Sequence, residues 1–381
     1  MNPYHSPWVT EDHHIFRDSV RKFIETEFVP NRDQWHADGR MDPSYWRKAG
    51  DVGMLCPDVP DEYGGGGADF GFDAITYEEL GRAGVSSFGN GIQSIVAHYM
   101  VKYATEEQKQ RWLPGMASGE TITAIAMTEP GTGSDLQAVK TRAVQDGDDL
   151  LLSGSKIFIT NGYNANLICV VCKTDPDERA KGISLLMVEP EGLEGFSKNE
   201  PLKKIGMKGQ DTCELFFDEC RVPAENILGG APGQGFYQLM AQLPRERLIV
   251  AVMAIASLEA SLDKTIEYVK GREAFGKTIA DFQNTKFKIA EMMTEAKMGR
   301  VFVDHCIEML NNDQLDTETA SMAKWWLSEK QFETANQCLQ LHGGYGYMME
   351  YDIAHYFADS RVQMIYAGSN EIMKELISRA M

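Results

Sequence analysis

The feature that most constrains the fold is a change of pattern near residue 121, where helical periodicity gives way to short apolar segments. Turn-forming glycines and prolines separate these segments, and Asp146-Gly147-Asp148 between two of them predicts a β-hairpin. After Gly235 the helical pattern returns and continues along the chain. The order α, β, α therefore predicts an antiparallel β domain between two helical domains. The predicted strands are 122–127, 141–144, 150–152, 156–160, 167–172, 183–188 and 213–217.

Both helical parts place apolar residues at the spacing of one helix face. Phe16, Val20 and Ile24 follow a Thr10 that can cap the first helix, and Pro30 is predicted to end that helix. The stretches 244–271, 281–311 and 316–340 have lengths suited to a helical bundle. With 381 residues, the chain is long enough for more than one core. We predict an α+β multidomain protein with an N-terminal helical domain at 1–120, a middle antiparallel β domain at 121–235 and a C-terminal helical bundle at 236–381.

Charge and cysteine content exclude several classes of function. The formal net charge of -19 opposes binding to phosphate backbones, so we expect no nucleic-acid partner. Seven cysteines at irregular spacing do not suggest a disulfide framework and indicate reduced thiols. No apolar run is long enough to span a membrane, and Met1–Pro7 shows no targeting pattern. We therefore expect a cytoplasmic protein, or one of the mitochondrial matrix if the chain is a mature eukaryotic form.

Two short patterns that often carry chemistry are interpreted as structural here. Cys169 and Cys172 have CxxC spacing, but residues i and i+3 of a strand point to opposite faces, so we predict buried thiols and no metal site. Ser153 and Lys156 match the S-x-x-K of serine acylases without the partner motifs, which favours a chance match. No Rossmann-type glycine pattern follows a predicted strand, so a dinucleotide site of that kind has no support.

Five segments carry residues suited to binding a flat cofactor and its phosphates. Met127–Asp135 combines glycines with hydroxyls, and Lys156–Gly162 places an aromatic residue shortly before a threonine. Gly271–Lys277 brings an arginine near a helix end, where it can meet a diphosphate or simply the helix dipole. Gln340–Gly346 is rich in glycine, and Tyr366–Ile372 opens a helix. Each segment taken alone also fits an ordinary turn, strand end or helix cap.

In this order the five segments resemble those of the acyl-CoA dehydrogenase family, and the resemblance covers essentially the whole chain. It includes Glu62-Tyr63-Gly64-Gly65 and Arg221-Val222-Pro223, while Pro244–Leu248 and Ile372–Ile377 look like the long-chain branch. The resemblance implies the acyl-CoA dehydrogenase fold with a C-terminal four-helix bundle, and FAD as cofactor. It also implies α,β-dehydrogenation of acyl-CoA, which in the long-chain branch gives trans-2-enoyl-CoA in fatty acid β-oxidation.

The catalytic base implied by the resemblance lies at an unusual position. Most of the family carries a Glu in a Tyr-Glu-Gly-Thr motif at the start of the last helix, where this chain reads Tyr366-Ala367-Gly368-Ser369. Ala367 cannot accept a proton. Long-chain and isovaleryl-CoA dehydrogenases carry the base on an earlier helix, and the matching residue here is Glu246. From the residues alone, Glu246 between Arg245 and Arg247 fits a surface ion pair, but the resemblance implies the α-proton acceptor.

The resemblance also assigns the binding residues. Two groups are implied to contact FAD, and because the second is implied to reach it from a neighbouring subunit, we expect an oligomer, in this family usually a tetramer. From its surroundings alone, His342 of the second group also fits a core histidine. The first group is Ile125, Met127, Thr128, Gly133, Ser134, Phe158, Ile159 and Thr160, and the second is Arg272, Phe275, Gln283, Gln340, Leu341, His342, Gly343, Gly344, Ser369, Asn370 and Glu371.

Acyl-CoA is the implied substrate, and electron-transfer flavoprotein is the implied electron acceptor. The backbone amide of residue 367 is implied to bond the thioester carbonyl, a role that Ala can fill. The implied substrate contacts are Ser134, Lys181, Gly182, Tyr237, Pro244, Arg245, Glu246, Arg247, Tyr366, Ala367 and Gly368.

Three alternatives stay open at this point. An acyl-CoA oxidase would return its electrons to oxygen, although such chains usually carry an additional C-terminal domain. A branched or terpenoid acyl thioester suits a base on this helix as well as a long linear chain does. A non-catalytic FAD- or acyl-CoA-binding homologue would fit the missing carboxylate at Ala367, and Glu246 argues against it.

Overall fold

The computed structural model describes residues 4–379 and residue 381, so the first three residues of the Met1–Pro7 segment lie outside the described residues. The part before the sheet is helical, as predicted. Its α-helices are α1 (Glu11–Phe23), α2 (Arg32–Asp38), α3 (Ser44–Asp51), α4 (Phe70–Ala83), α5 (Asn90–Tyr103) and α6 (Glu106–Ser118).

The first helix begins where its capping pattern predicts. The Thr10 backbone N–H donates to His13 Nδ1 at 3.1 Å, which satisfies one of the amides that a helix start leaves unpaired. Val20 and Ile24 are buried, as their spacing predicts. Pro30 does not end the helical path, because it lies in a short turn from which the chain continues directly into α2. A proline fits such a position, since the first turn of a helix needs no backbone donor.

The middle of the chain forms one sheet in the order β1-β4-β2-β3-β7-β6, with β5 paired to β4. The hairpin predicted at Gly147 joins β2 to β3. Two strands predicted separately, 150–152 and 156–160, are parts of the continuous but bulged β3, and the short β6 was not predicted. The strands are β1 (Thr123–Ala126), β2 (Arg142–Asp146), β3 (Asp149–Thr160), β4 (Leu167–Lys173), β5 (Ile183–Val188), β6 (Phe196–Lys198) and β7 (Thr212–Pro223).

Two pairings in this sheet differ from the antiparallel prediction. β1 runs parallel to β4, with Ala124 opposite Ile168, and β2 also meets β4 in parallel at a single residue pair. The prediction failed there because only strands joined by a tight turn must be antiparallel, and a β-hairpin separates β1 from β4 along the chain. β4 is buried on both faces, with Cys169 in the core shared with the helices and Cys172 in the second core of the β domain. All seven cysteines are free, as predicted.

The last part of the chain is helical and contains the three long helices that were predicted. α7 ends at Gly271, where the predicted stretch 244–271 ends, and Phe275 and Gly276 then form a left-handed turn with φ of 53° and 76° between two short strands. α10 and α11 both pack on α9 and complete the bundle. The elements are α7 (Gly235–Gly271), β8 (Glu273–Ala274), β9 (Lys277–Thr278), α8 (Gln283–Asn311), α9 (Thr317–Leu341), α10 (Asp352–Ser360) and α11 (Asn370–Ser378). Within the described residues, no helix is both long and apolar enough to cross a bilayer.

Helix α7 is held on several sides, and this fixes the residues near its middle. α4 and α5 from the first part of the chain pack against it on one side, and α8 and α9 pack against it on the other. Arg300 on α8 donates to Glu259 on α7 at 2.6 Å and also pairs with Glu78 on α4, so an ion-pair network ties three helices together. The division into domains at 1–120, 121–235 and 236–381 stays a prediction.

Candidate active site

Glu246 lies in the interior of the protein, on α7. Its side chain is only 7% exposed, and the Tyr99 hydroxyl on α5 donates a hydrogen bond to its Oε1. The surface ion pair that fits the residues alone is therefore wrong. Pro244 lies inside the same helix two residues earlier, where it removes a backbone donor from the helical ladder.

Burial raises the pKa of Glu246 to about 7, from an ordinary value of 4.5. The hydrogen bond from Tyr99 and the charge of Arg247 both favour the carboxylate, but the loss of solvation outweighs them. A carboxyl group with such a pKa exists in both forms near neutral pH. It can therefore accept a proton and later release it, as a general base requires.

The two arginines beside Glu246 have different surroundings. Arg247 on α7 donates to Ser321 Oγ on α9 at 3.3 Å, and its Nε is buried without a hydrogen-bond partner among the described residues. Burial lowers the pKa of Arg247, and Glu246 opposes this change. A buried donor that lacks a partner fits a polar atom of a ligand, so this geometry suits the predicted contact with acyl-CoA.

Arg245 pairs with carboxylates within the protein, although its Nε, like that of Arg247, is buried without a hydrogen-bond partner among the described residues. Its Nη2 lies 2.9 Å from Asp58 and 2.7 Å from Asp73, and Ser94 on α5 donates to Asp73 at 2.6 Å. The guanidinium lies over the Phe70 ring, 4.9 Å from its centroid. These contacts give no support to the prediction that Arg245 lines the acyl-CoA path. They tie α4, α5 and α7 together next to Glu246.

The loop before α11 contains two successive left-handed residues and is anchored by a buried lysine. Ala367 and Gly368 both have left-handed φ angles, 51° and 85°, so the chain turns sharply just before this helix. The fully buried Lys324 on α9 donates to the Gly368 carbonyl at 2.7 Å and to Asn370 Oδ1 at 3.0 Å. Burial, followed by the nearby charge of Arg247, lowers the pKa of Lys324 to about 8. Arg247 and this loop are therefore near neighbours.

The glycine-rich loop after β1 is anchored by a buried lysine, and part of its backbone is accessible to a ligand. Lys156 on β3 is fully buried and donates to the Met127 carbonyl at 3.0 Å and to Glu129 at 2.9 Å. A Cβ added at Gly131 or Gly133 would meet no atom within 4 Å, so the loop backbone is accessible to a ligand. Lys156 thus anchors the loop, a role that the S-x-x-K pattern did not reveal.

Phe158 and its neighbours continue this surface. Phe158 has a left-handed φ of 61° and is 64% exposed although it is aromatic. The backbone N–H of Ile157, the residue before it, donates to the Thr128 carbonyl at 2.9 Å. Ile159 has its side chain in the core of the sheet instead, so its predicted flavin contact has no support from the side chain. Ile125 and Thr160 are partly buried beside the same loop.

A cavity of about 550 Å³ lies among the C-terminal helices, and two of the predicted cofactor residues, Arg272 and His342, line it. Tyr268 stacks on His342 with ring centroids 4.2 Å apart, and His342 Nδ1 lies 2.8 Å from the Cys338 carbonyl. Arg272 lines the cavity and lies over Tyr345 at 5.6 Å. The described residues that line it are all helical-bundle residues, namely Lys264, Glu267, Tyr268, Gly271, Arg272, His342, Tyr351, Asp352 and Ile353.

The remaining predicted residues lie around these two regions. Gly343 and Gly344 would place an added Cβ in open space, and Phe275 is 96% exposed at the tip of its turn. Asn370 is buried and uses its side chain to bond Lys324 and Ser328, which leaves it little capacity for a cofactor. Exposed or partly buried positions are occupied by Gln283, Gln340, Leu341, Ser369 and Glu371.

The predicted acyl-CoA residues of the β domain adjoin the start of α7. Gly233 donates to Ser184 Oγ at 2.8 Å, and a Cβ at Gly233 would collide with the Lys181 carbonyl. This close approach brings the exposed Lys181 and the buried Gly182 next to the helix that carries Tyr237, which is 49% exposed. Tyr366 donates to Gln363 at 2.7 Å beside the Ala367 turn.

The sequence did not predict the roles of three residues of this site. Tyr99 and Lys324 lie in ordinary helical patterns, the S-x-x-K match at Lys156 pointed to another chemistry, and only the folded chain brings the three to Glu246, to Gly368 and to the Met127 loop. A polar residue on an otherwise apolar face is a weak hint of such a role, because buried polar groups need partners.

Comparison with known proteins gives matches along the chain. Sequence models of the acyl-CoA dehydrogenase N-terminal, middle and C-terminal domains match residues 10–120, 124–220 and 233–381. The mitochondrial long-chain specific acyl-CoA dehydrogenase of Mus musculus is 48% identical over 373 residues, which cover 97% of this chain and 86% of that protein. The crystal structure of an acyl-CoA dehydrogenase from Geobacillus kaustophilus has a TM-score of 0.96 at 48% identity and 99% coverage of both chains.

A glutaryl-CoA dehydrogenase from Mycobacterium smegmatis in complex with FADH2 is also similar, with a TM-score of 0.91. It is 28% identical, and the superposition covers 98% of this chain and 95% of that one. The similarity therefore includes a structure that holds a reduced flavin.

Proposed function

The chain belongs to the acyl-CoA dehydrogenase family of flavin-dependent oxidoreductases, and we propose that its substrates are long-chain fatty acyl-CoA thioesters. The product is trans-2-enoyl-CoA, formed by removal of one hydrogen from the α carbon and one from the β carbon. Glu246 accepts the α-proton in this proposal. FAD, when bound, supplies the acceptor for the hydride that leaves the β carbon.

The observation that carries the proposal is the burial of Glu246 with a pKa of about 7. Its carboxylate is more basic than that of an exposed Glu and is still well populated at neutral pH. General-base catalysis of this kind contributes about 10²–10⁴ in rate, which corresponds to about 3–5 kcal/mol of barrier. The missing carboxylate at Ala367 leaves this role to Glu246, whose presence argues against a non-catalytic homologue.

Ala367 and Gly368 contribute their backbone. Their left-handed conformation, together with the bond from Lys324 to the Gly368 carbonyl, fixes the direction of the peptide groups in this loop. We propose that the Ala367 N–H donates to the thioester carbonyl oxygen. A hydrogen bond at that oxygen stabilises the negative charge that develops when the α-proton leaves, so it makes that proton more acidic.

FAD fits two surfaces of the chain. The open loop backbone at Gly131 and Gly133, with the exposed Phe158 beside it, suits a flat ring that approaches closely. The cavity that Arg272 and His342 line suits a nucleotide, since it combines a cation for a diphosphate with aromatic rings. The glutaryl-CoA dehydrogenase relative, described as a complex with FADH2, supports this assignment.

These two surfaces belong to different parts of one chain, which supports an oligomer with shared cofactor sites. The cavity is lined by bundle residues, and the loop after β1 lies on the sheet. We propose that each FAD contacts the loop of one subunit and the cavity of another, in a tetramer that transfers its electrons to electron-transfer flavoprotein. Native mass measured together with flavin content tests this arrangement.

The experiment that tests the function is anaerobic flavin reduction by a panel of acyl-CoA thioesters. The panel contains linear chains from short to long, with branched and terpenoid thioesters beside them. We expect the fastest reduction with long linear chains, and a rate about 10²–10⁴ lower in Glu246→Gln at unchanged FAD and acyl-CoA binding. Glu291→Gln, which changes an exposed carboxylate on α8, is the matched control.

Three outcomes would contradict parts of the proposal. Near-normal reduction in Glu246→Gln would exclude Glu246 as the base. A preference for branched or terpenoid thioesters would leave the base in place and replace the substrate class. Oxygen consumption by the reduced enzyme at the rate of turnover would favour an oxidase.

A further inference from the structure

Tyr99 is the side chain that contacts the Glu246 carboxylate most directly. It lies on α5, is 1% exposed, and donates its hydroxyl proton to Glu246 Oε1. We propose that Tyr99 is a positioning residue that aims the Glu246 carboxylate at the substrate and stabilises its charged form. The inference rests on the proposed role of Glu246 as the base.

The residues next to both partners hold this contact in place. His98 precedes Tyr99 and lies 3.3 Å from Asp58, and Asp58 in turn lies 2.9 Å from Arg245, the residue before Glu246. Helices α5 and α7 are therefore joined at two successive positions, once through Asp58 and once by the hydrogen bond from Tyr99 to Glu246. The phenol and the carboxylate cannot move apart unless these anchors also move.

The charged and titratable groups around Glu246 show what the hydroxyl contributes. Tyr99 faces it from α5, Arg247 from its own helix and Cys169 from β4, while Lys324 on α9 lies beyond Arg247. Burial raises the pKa of the Cys169 thiol, so this group stays neutral. Burial also raises the pKa of Tyr99 well above its usual value, so its hydroxyl remains a donor. Tyr99 and Arg247 are thus the groups that offset the burial of the carboxylate.

The hydrogen bond also selects the oxygen that reacts. Because the Tyr99 hydroxyl occupies Oε1, Oε2 is the oxygen left to meet the α-proton. Holding one oxygen fixes the direction of the other, and a displacement of about 1 Å at a reacting atom can lower a rate on the order of 10²-fold. A tyrosine that served only to fill the core would have no such effect on the direction or ionisation of the base.

The test compares Tyr99→Phe with Tyr103→Phe in rapid-mixing flavin reduction across pH. Tyr103 is a matched control because its ring centroid lies 6.4 Å from that of Tyr99 and its hydroxyl bonds Gln242 rather than Glu246. A hydrogen bond to a carboxylate stabilises its charged form and lowers its pKa by about 1–2. Removing it should move the acidic limb of the rate profile of Tyr99→Phe up by this amount, with a loss of about 5- to 50-fold at pH 7 that largely recovers at high pH.

Incorporation of 3-fluorotyrosine at position 99 provides a change in the opposite direction. The fluorinated phenol is a stronger donor and should move the limb to lower pH without deleting any contact. A readout without turnover is the infrared band of the protonated Glu246 carboxyl, identified by its absence in Glu246→Gln and followed as a function of pH. Its midpoint should rise in Tyr99→Phe and fall with fluorotyrosine.

The outcomes separate this proposal from that of the base. If Glu246→Gln abolishes reduction while Tyr99→Phe lowers the rate equally at every pH, or not at all, Tyr99 is a packing residue and the proposal is overturned. If Glu246→Gln reduces its flavin normally, the proposed function fails first, whatever Tyr99→Phe does. In a Glu246→Gln background, Tyr99→Phe should cause no further loss of rate, and a further large loss would place Tyr99 elsewhere in the reaction.

Discussion

Glu246→Gln should inactivate the enzyme and at the same time make the folded protein more stable at alkaline pH. Burial holds the pKa of this carboxyl at about 7, above its ordinary value of 4.5. Below pH 4.5 the group is protonated in both the folded and the unfolded chain and costs nothing. As the pH rises, the unfolded chain loses its proton first. The free energy of unfolding therefore falls as the pH rises above about 4.5, and it reaches its lowest value above about pH 7. Gln carries no charge at any pH and can accept the same hydrogen bond from Tyr99.

The magnitude follows from the difference between the two pKa values. The difference 7 − 4.5 is 2.5, and each unit corresponds to about 1.4 kcal/mol, so the ionised group costs about 3 kcal/mol at about pH 8.5 and about 2 kcal/mol at about pH 6. For a chain of 381 residues the unfolding entropy is about 0.8 kcal/mol/K. The variant should therefore melt about 4 °C higher than the native protein at about pH 8.5, and about 2–3 °C higher at about pH 6.

Differential scanning calorimetry of both proteins across pH measures this difference. Both must be saturated with FAD and compared at equal subunit concentration, because ligands and oligomerisation raise the melting temperature by mass action. Glu291→Gln, which alters an exposed carboxylate, should show no such dependence. A Glu246→Gln protein that is less stable than the native one at every pH, or a difference that does not grow with pH, would refute the energetic cost of the buried carboxylate.

Three further variants address other parts of the site. The double variant Glu246→Gln with Ala367→Glu moves the carboxylate to the last helix, so it should restore part of the flavin reduction lost in Glu246→Gln and change the chain-length preference. If rapid mixing shows no recovery while FAD and acyl-CoA still bind, the two positions do not reach the same α carbon. Arg272→Ala should retain less FAD after gel filtration while keeping the reduction rate of the flavin-loaded fraction, and full flavin occupancy with lost turnover would contradict its role at the diphosphate. Lys156→Met should destabilise the protein by about 3–5 kcal/mol because it leaves Glu129 buried without its cation, and Glu129→Gln in the same chain should recover part of this loss in thermal unfolding.

Several elements of the fold follow from local sequence patterns alone. The hairpin at Gly147, the Thr10 cap and the three long C-terminal helices were predicted correctly, since turn residues, caps and helical periodicity act between near neighbours in the chain. The parallel pairing of β1 with β4 was not predicted. It depends on a partner strand that lies far away in sequence, beyond the hairpin of β2 and β3.

The sequence by itself determined the family, the order of helical and β parts, and the absence of a carboxylate at Ala367. It also singled out Glu246, but its neighbouring arginines equally fit a surface ion pair. Only the tertiary structure decided between these, because burial and the contact with Tyr99 arise when α5 packs on α7. The same holds for the two arginines, of which Arg245 pairs with two carboxylates while Arg247 bonds only the Ser321 hydroxyl. A proton affinity depends on solvation and on neighbours in space, and neither can be read from adjacent residues in the chain.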